Sequence, residues 1–189
     1  MNKNILIVGV GGQGTLLASK VMGKVFLDSG YDVKVSEVHG MSQRGGSVVT
    51  YVRCGNEVFS SLIDKGEADI LLSFEALEAA RWLPYLKKDG VVITNTRQMN
   101  PMTVILGDAK YPENIIQKIK EQNVKLFSIN ASKIASDAGN EKSTNVVLLG
   151  LAAKHIGIDK SIWLEAVKSI VPPKTVEINL MAFELGYNA

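Results

Sequence analysis

"ILIVGVGGQGTLLASKV", residues 5–21, decides the fold: a short apolar run ends at a glycine-rich turn, and apolar residues then return at helical spacing. Residues 4–8 read as a strand. Residues 13–29 read as a helix, with Leu16, Leu17, Val21, Val25 and Phe26 recurring along it. Gly9, Gly11 and Gly14 have the spacing of a dinucleotide-binding turn. In such a unit the first glycine permits the tight turn, the second lets a phosphate approach the backbone, and the third lets helix and strand pack closely. Unpaired amides at the start of the helix favour an anion, and Gln13 adds an uncharged donor to that rim. The residues alone leave two readings open, a site for a phosphate-bearing ligand or a purely structural turn.

Working outward, Gly30 sits where a helix ends, and residues 31–37 read as a second strand. The resulting βαβ unit has a right-handed crossover, which makes its two strands parallel. Glu37 closes the second strand about twenty residues past the turn, where a dinucleotide enzyme sets an acid on a ribose hydroxyl; a solvated acid at a strand end is the alternative. "VHGMSQRGG", residues 38–46, reads as a loop, and "SVVTYVRCG", residues 47–55, as a strand. "GNEVFSSLI", residues 55–63, reads as the return arm of a hairpin, which makes the sheet mixed.

Further strands are predicted at residues 70–73, 90–95, 102–106 and 124–130, with Asp89 and Gly90 marking a turn. Helices are predicted over residues 75–86 and 112–122, the latter opening with Pro112. The sheet is then expected to hold six or seven strands. From Ala131 the pattern becomes helical, over residues 143–155, 160–170 and 175–187, broken by Gly157 and by Pro172 and Pro173. Nothing in the sequence resembles a repeat or a flexible linker, so residues 1–189 read as a single domain. The expected class is α/β: a three-layer Rossmann-like domain with a mixed, largely parallel sheet and a helical C-terminal part.

With 46% hydrophobic and 21% charged residues, the chain has the balance of a soluble globular protein. A net charge of +2 with dispersed basic residues argues against a nucleic-acid partner. No apolar run approaches the roughly 20 residues that cross a bilayer, and no charged-then-apolar leader follows Met1, so a cytoplasmic protein without a membrane partner is expected. Cys54 is the only cysteine, which excludes an internal disulfide and a cluster or zinc site needing several thiolates. It reads as a buried inert thiol rather than a nucleophile. His39 and His155 are far apart and neither has a second ligand at helical or loop spacing, so no metal site is expected. His155, near a helix end, reads as a partner for terminal carbonyls or the helix dipole. "KSTNVV", residues 142–147, opens a helix with Ser143 or Thr144 as cap, or lines a ligand cleft beside Asn145. Met181, Phe183 and Tyr187 read as core or interface.

A second unusual stretch, "SEVHGMSQRGGS", spans residues 36–47 at the carboxyl end of the second strand, where open sheets bind ligands. His39 can exchange a proton near neutral pH, and Arg44 can clamp a phosphate or a carboxylate on a partner chain. The alternative is a loop whose glycines fit a tight path and whose Arg44 pairs with a local acid.

Together "GVGGQG", residues 9–14, and "SEVHGMSQRGG", residues 36–46, resemble the gamma-type modules of the 2-oxoacid:ferredoxin oxidoreductases, and among them the beta subunits of the indolepyruvate type. The resemblance spans essentially the whole chain. Its second motif is the more specific, because modules acting on 2-oxoglutarate or branched 2-oxoacids carry a version with tyrosine and glutamate before the RGG. The resemblance implies a noncatalytic subunit of a complex that oxidatively decarboxylates indolepyruvate and other aryl pyruvates to an acyl-CoA while reducing ferredoxin. Thiamine diphosphate and 4Fe-4S clusters are then expected on a larger catalytic partner subunit, and no cofactor is bound covalently here.

By the same resemblance, coenzyme A falls at the glycine turn, with Gly9, Gly11, Gly12, Gln13 and Gly14 at the ligand and Arg44, Gly45 and Gly46 beside it. His39 and Gln43 match the indolepyruvate-type motif without a catalytic role to carry over, and are set either at the ligand or at the contact with the catalytic subunit. A hetero-oligomer with a large apolar interface is expected, and a homodimer when the chain is isolated. Left open are a stand-alone NAD(P)- or nucleotide-binding protein, a gamma subunit of a 2-oxoglutarate or branched-chain enzyme, and a scaffold whose cleft is empty.

Overall fold

The computed structural model describes residues 1–40 and 45–189. Strand β1 (Lys3–Val10) is the spine. Ile5, Leu6, Ile7 and Val8 have no solvent exposure, because alternate side chains of a strand point to opposite faces and both faces are covered. Ile5 and Ile7 join the larger core, shared with α1 (Thr15–Asp28), α5 (Ala131–Asp137), α6 (Thr144–Ile156), α7 (Lys160–Ile170) and α8 (Val176–Tyr187). Leu6 and Val8 join a smaller core with α2 (Ala76–Trp82) and α4 (Ile115–Lys120).

Among the described residues the sheet has six strands in the order β2-β3-β1-β4-β5-β6. They are β2 (Asp32–His39), β3 (Ser47–Gly55), β4 (Ala68–Ser73), β5 (Leu86–Asn95) and β6 (Lys125–Ile129) around β1. β1, β4, β5 and β6 run parallel, while β3 is antiparallel to both β1 and β2. This is the expected three-layer α/β arrangement with a mixed, largely parallel sheet and a helical C-terminal part.

The order near the glycine turn corrects the sequence reading. β2 runs in the same direction as β1, as expected, but β3 lies between them. Val48, Val49, Tyr51, Val52 and Cys54 are buried on both faces of β3, so it belongs inside the sheet. β2 carries Asp32, Lys34, Glu37 and His39 and is only partly buried, which suits an edge strand. The hairpin is therefore β2 with β3, and residues 56–63 form no return arm. Side chains pin that segment instead: Asp32 Oδ2 accepts from Val58 N at 2.9 Å, and Arg53 Nη1 donates to Leu62 O at 2.9 Å.

Three smaller expectations also change. Residues 102–106 form no strand but a short helix α3 (Met102–Ile105), because Pro101 starts a turn whose carbonyl takes the amides of Val104 and Ile105. The next helix begins at Ile115, after Asn114 in a left-handed conformation (φ 56°), so Pro112 lies outside it. Gly90 sits within β5 rather than in a turn: a Cβ there would meet Ala68 O at 2.9 Å, so glycine lets the neighbouring strand come close. The C-terminal helices agree with the sequence reading to within two residues. No helix among the described residues is long and apolar enough to cross a membrane.

α6 and α8 approach each other through glycines. A Cβ added at Gly186 would lie 1.9 Å from Val147 O, and one at Gly150 would lie 2.2 Å from Phe183 O. Backbone cannot yield as a flexible side chain can, so Gly186→Ala should force the helices apart and cost roughly 1–3 kcal/mol or more. A urea titration tests this. An unchanged midpoint would contradict the close packing.

Candidate functional site

α1 leaves the end of β1 toward the larger core, and α2 leaves the end of β4 toward the smaller one. Helices departing to opposite faces open a crevice at the carboxyl ends of the strands. The crevice is a cleft of about 690 Å³ lined by Gly11, Gly12, Gln13 and Gly14 of the turn, Gly45, Phe74 after β4, Asn95, Arg97 and Met99 after β5, and Glu141, Lys142, Thr144 and Asn145 at the start of α6.

The glycine turn divides its tasks differently from the spacing rule. Positive φ occurs at Gly12 (97°) and Gly14 (83°), not at Gly9. Gly9 is a strand residue kept small by its neighbours, since a Cβ would stand 2.7 Å from Gln13 Oε1 and 3.2 Å from Phe74 Cβ. Gly11 N donates to Gly46 O at 2.9 Å, which closes the turn against the start of β3 and withdraws that amide from ligand binding. Ser47 Oγ, next in the chain, donates to Glu78 Oε2 at 2.5 Å.

Gln13 is not a free donor at the rim. Its Oε1 accepts from Val10 N at 2.8 Å, while Nε2 donates to Phe74 O at 3.3 Å and Met99 Sδ at 3.1 Å. The carboxamide thus fastens together the ends of β1 and β4 and the segment after β5. The helix begins two residues later than the sequence suggests, at Thr15, and Gly14 at its cap position has no side chain to satisfy the first amides. The amides of Gly12, Gly14, Thr15 and Leu16 have no partner among the described residues, and the first turn has no acid. A helix end of this kind favours an anion. Lys142 also lines the cleft, and Arg97 Nη1 pairs with Glu141 at 2.8 Å in an exposed bridge that competes weakly with a ligand.

Buried polar groups hold the far walls. Asn145 Nδ2 donates to Gly14 O at 3.3 Å, joining α6 to the turn. Asn95, fully buried, accepts from Ala131 N at 3.1 Å and donates to Ser132 Oγ at 3.2 Å, which fixes the start of α5. Glu75 has 1% exposure, and its carboxylate accepts from Glu78 N, Met99 N and Tyr111 Oη at 3.0, 3.1 and 2.5 Å. Burial, followed by the hydrogen bond to and the charge of Glu75, pushes the Tyr111 hydroxyl above the ordinary phenol range.

His39 lies in a second hollow that shares Gly11, Gly12 and Gly14 with the cleft and is lined further by Thr15, Leu16, Glu37 and Val48. Its Nδ1 is 3.9 Å from Glu37 Oε1. Glu37 Oε2 accepts from Thr15 Oγ1 at 3.4 Å and from Thr50 Oγ1 at 3.1 Å. The acid is therefore engaged in joining β2, β3 and α1, on a strand one place further from β1 than a ribose-binding acid requires. Gln43 and Arg44 lie outside the described residues. Of the sequence-derived site, the structure brings Gly11, Gly12, Gln13, Gly14 and Gly45 to the cleft, leaves Gly9 and Gly46 out of its lining, and puts His39 in the adjoining hollow that shares Gly11, Gly12 and Gly14.

The family described as pyruvate ferredoxin/flavodoxin oxidoreductase matches residues 4–189. The chain belongs to the pyruvate ferredoxin/flavodoxin oxidoreductase family. It is 47% identical to the indolepyruvate oxidoreductase subunit IorB of Pyrococcus horikoshii, covering 98% of this chain and 95% of that protein. Identity to the 2-oxoglutarate synthase subunit KorC of Methanothermobacter marburgensis is 32%, with the same coverage of 98% and 95%. Among solved structures, the gamma subunit of the keto/oxoacid ferredoxin oxidoreductase of Geobacter sulfurreducens superposes with a TM-score of 0.74 at 26% identity, over 98% of this chain and 96% of that one.

In this member of the pyruvate ferredoxin/flavodoxin oxidoreductase family, several cleft residues carry no motif of their own. Phe74, Asn95, Arg97 and Met99 are brought to the turn from 60 or more residues further along the sequence, and only the position of each past a strand's carboxyl end could have flagged it. Residues 142–147 do both things the sequence offered: α6 opens at Thr144 with Ser143 at the cap position, though without a side-chain cap bond, and Lys142, Thr144 and Asn145 line the cleft. Among the described residues no group of three or more His, Cys, Asp or Glu could hold a metal ion. His155 packs against Phe127, ring centroids 4.3 Å apart, and burial lowers its basicity, which weakens any role as a charged partner of the helix dipole. Phe183 is core, stacked between Trp163 and Tyr187, while Met181 is exposed.

Gly14→Ala should cost about 1–2 kcal/mol in backbone strain and more through Asn145, whose Nδ2 would lie 2.5 Å from the new Cβ; Gly12→Ala meets open space and should lose the strain alone. Denaturant titration of the pair measures the difference, and equal losses would contradict the Asn145 contact. Burial pushes the Cys54 thiol up to about 11, so the folded chain should resist iodoacetamide at pH 8 and the unfolded chain should react. Because the folded thiol holds its proton more tightly, stability should be retained below the unfolded thiol's pKa and decline as pH rises through about 11.

Proposed function

We propose that this chain is the small, noncatalytic subunit of a thiamine-dependent oxidoreductase that oxidatively decarboxylates indolepyruvate and other aryl pyruvates to an acyl-CoA, with ferredoxin as electron acceptor. The observation that carries the reading is the 47% identity over 98% of the chain to a subunit named for indolepyruvate, against 32% to one named for 2-oxoglutarate. A hetero-oligomer with a larger catalytic subunit follows from it. One cysteine, itself buried, cannot ligate a 4Fe-4S cluster, so the clusters and thiamine diphosphate are assigned to that partner.

The chain's own contribution is a binding cleft. Amides at Gly12 and Gly14, which have no partner among the described residues, and Lys142 in the same cleft suit a phosphate of coenzyme A, and Phe74 and Met99 offer apolar wall to the rest of the ligand. Gly9, Gln13, Gly45 and Gly46 serve by shaping the turn. A dinucleotide dehydrogenase is disfavoured, because Glu37 is held by Thr15 and Thr50.

Coexpression with a thiamine- and cluster-binding subunit tests the assembly: indolepyruvate-dependent ferredoxin reduction should need this chain, and equal rates without it would overturn the proposal. Calorimetry on the chain should show coenzyme A binding more tightly than NAD or NADP. Lys142→Ala should weaken coenzyme A roughly tenfold, the loss of one charge-assisted contact of about 1.5 kcal/mol.

A further inference from the structure

The chain between Met99 and Tyr111 leaves the body of the protein, forms α3 and returns. Every hydrogen bond recorded for residues 100–110 stays within that stretch: Pro101 O takes Val104 N and Ile105 N, Met102 O takes Leu106 N at 2.8 Å, and Thr103 O takes Ala109 N at 3.0 Å. Its polar ties to the rest of the protein are at the neck, where both ends meet the same oxygen. Glu75 Oε1 accepts from Met99 N at 3.1 Å on the outgoing side and from Tyr111 Oη at 2.5 Å on the returning side. Its Oε2 is held by Glu78 N at 3.0 Å, in the first turn of α2.

A buried carboxylate without a cationic partner is costly unless its oxygens are filled by donors. No salt bridge involves Glu75 among the described residues, and three donors fill it. Glu75 accordingly holds the neck in one geometry. What hangs on that geometry is the outer wall of the cleft. Met99 lines it, and Met99 Sδ accepts from Gln13 Nε2 at 3.1 Å, whose Oε1 in turn takes Val10 N at the glycine turn. Ala76 N donates to Arg97 O at 3.2 Å, so the residue after Glu75 steadies the same wall.

We propose that Glu75 is a positioning residue for the cleft: by closing the neck of residues 99–111 it sets Met99 against Gln13, and through them the turn that receives the ligand. This rests on the reading of the cleft as a coenzyme A site. Glu75 does not touch the ligand, and its effect is on how well formed the wall is before the ligand arrives.

The test uses the full chain and three variants, Glu75→Ala, Glu75→Gln and Tyr111→Phe. Limited proteolysis and amide exchange report the neck, and calorimetry with coenzyme A reports the cleft. Glu75→Ala should raise cleavage within residues 100–110 at least tenfold relative to the core and weaken coenzyme A at least fivefold. Glu75→Gln keeps one oxygen for Met99 N and Tyr111 Oη and should recover part of both losses; Tyr111→Phe removes one tie and should fall between Gln and wild type. Should Glu75→Ala fail to fold, Tyr111→Phe and Glu75→Gln carry the test.

Exchange that rises equally over core and loop would mean Glu75 serves stability alone, and overturns the proposal. A loosened neck with unchanged coenzyme A affinity overturns it as well. If the wild-type chain bound no coenzyme A, the ligand reading above would fall, and the proteolysis ratio alone would then decide whether Glu75 holds the wall: a selective rise supports that hold, an unselective one ends it. In the assembled complex, Glu75→Gln should raise KM for coenzyme A and leave KM for the 2-oxoacid unchanged.

Discussion

β1 is enclosed on both faces by two cores and on both edges by β3 and β4, so its backbone polar groups are met by neighbouring strands rather than water. A strand so enclosed can release the chain only at its end, through a turn tight enough to clear β4 on one side and β3 on the other. Gly9 has no space for a Cβ, Gly12 and Gly14 take the left-handed conformations, and Gly11 is tied to Gly46. The amides that emerge at the start of α1 are consequently held in place and without a partner among the described residues, an arrangement that favours an anion.

Gln13 makes this local turn into a frame for the cleft. Its carboxamide is satisfied by the ends of β1 and β4 and by Met99, so a polar side chain at the hub of the strands costs little. Asn145 joins α6 to the same turn, and Glu75 holds the segment that carries Met99. Three polar side chains, Gln13, Asn145 and Glu75, thus fix the walls of the cleft through hydrogen bonds within the protein.

Local features were legible in the sequence. β1, β3 and β4 and the three long C-terminal helices follow from hydrophobic period and from Gly157 and Pro172, signals that act within one element. Pairing was not: the alternation in residues 31–37 and 47–55 says that both are strands but not which lies beside β1, and only the relative burial of β3 and β2 settles that. Residues 102–106 have the composition of a strand, but on an exposed loop with Pro101 ahead of them local turn bonds prevail.

The sequence by itself determined the glycine turn, the α/β class and, through the motif that contains it, the family, because each depends on residues close together in the chain. Tertiary structure alone decided which partners the side chains around the turn have. Gln13 reads as a donor to a ligand until Phe74 and Met99 are beside it, Glu37 reads as a ribose-binding acid until Thr50 is opposite, and Glu75 has no role at all until Met99 and Tyr111 converge on it. Hydrogen-bond capacity is finite, and which partners consume it is set by distances across the fold, not along the chain.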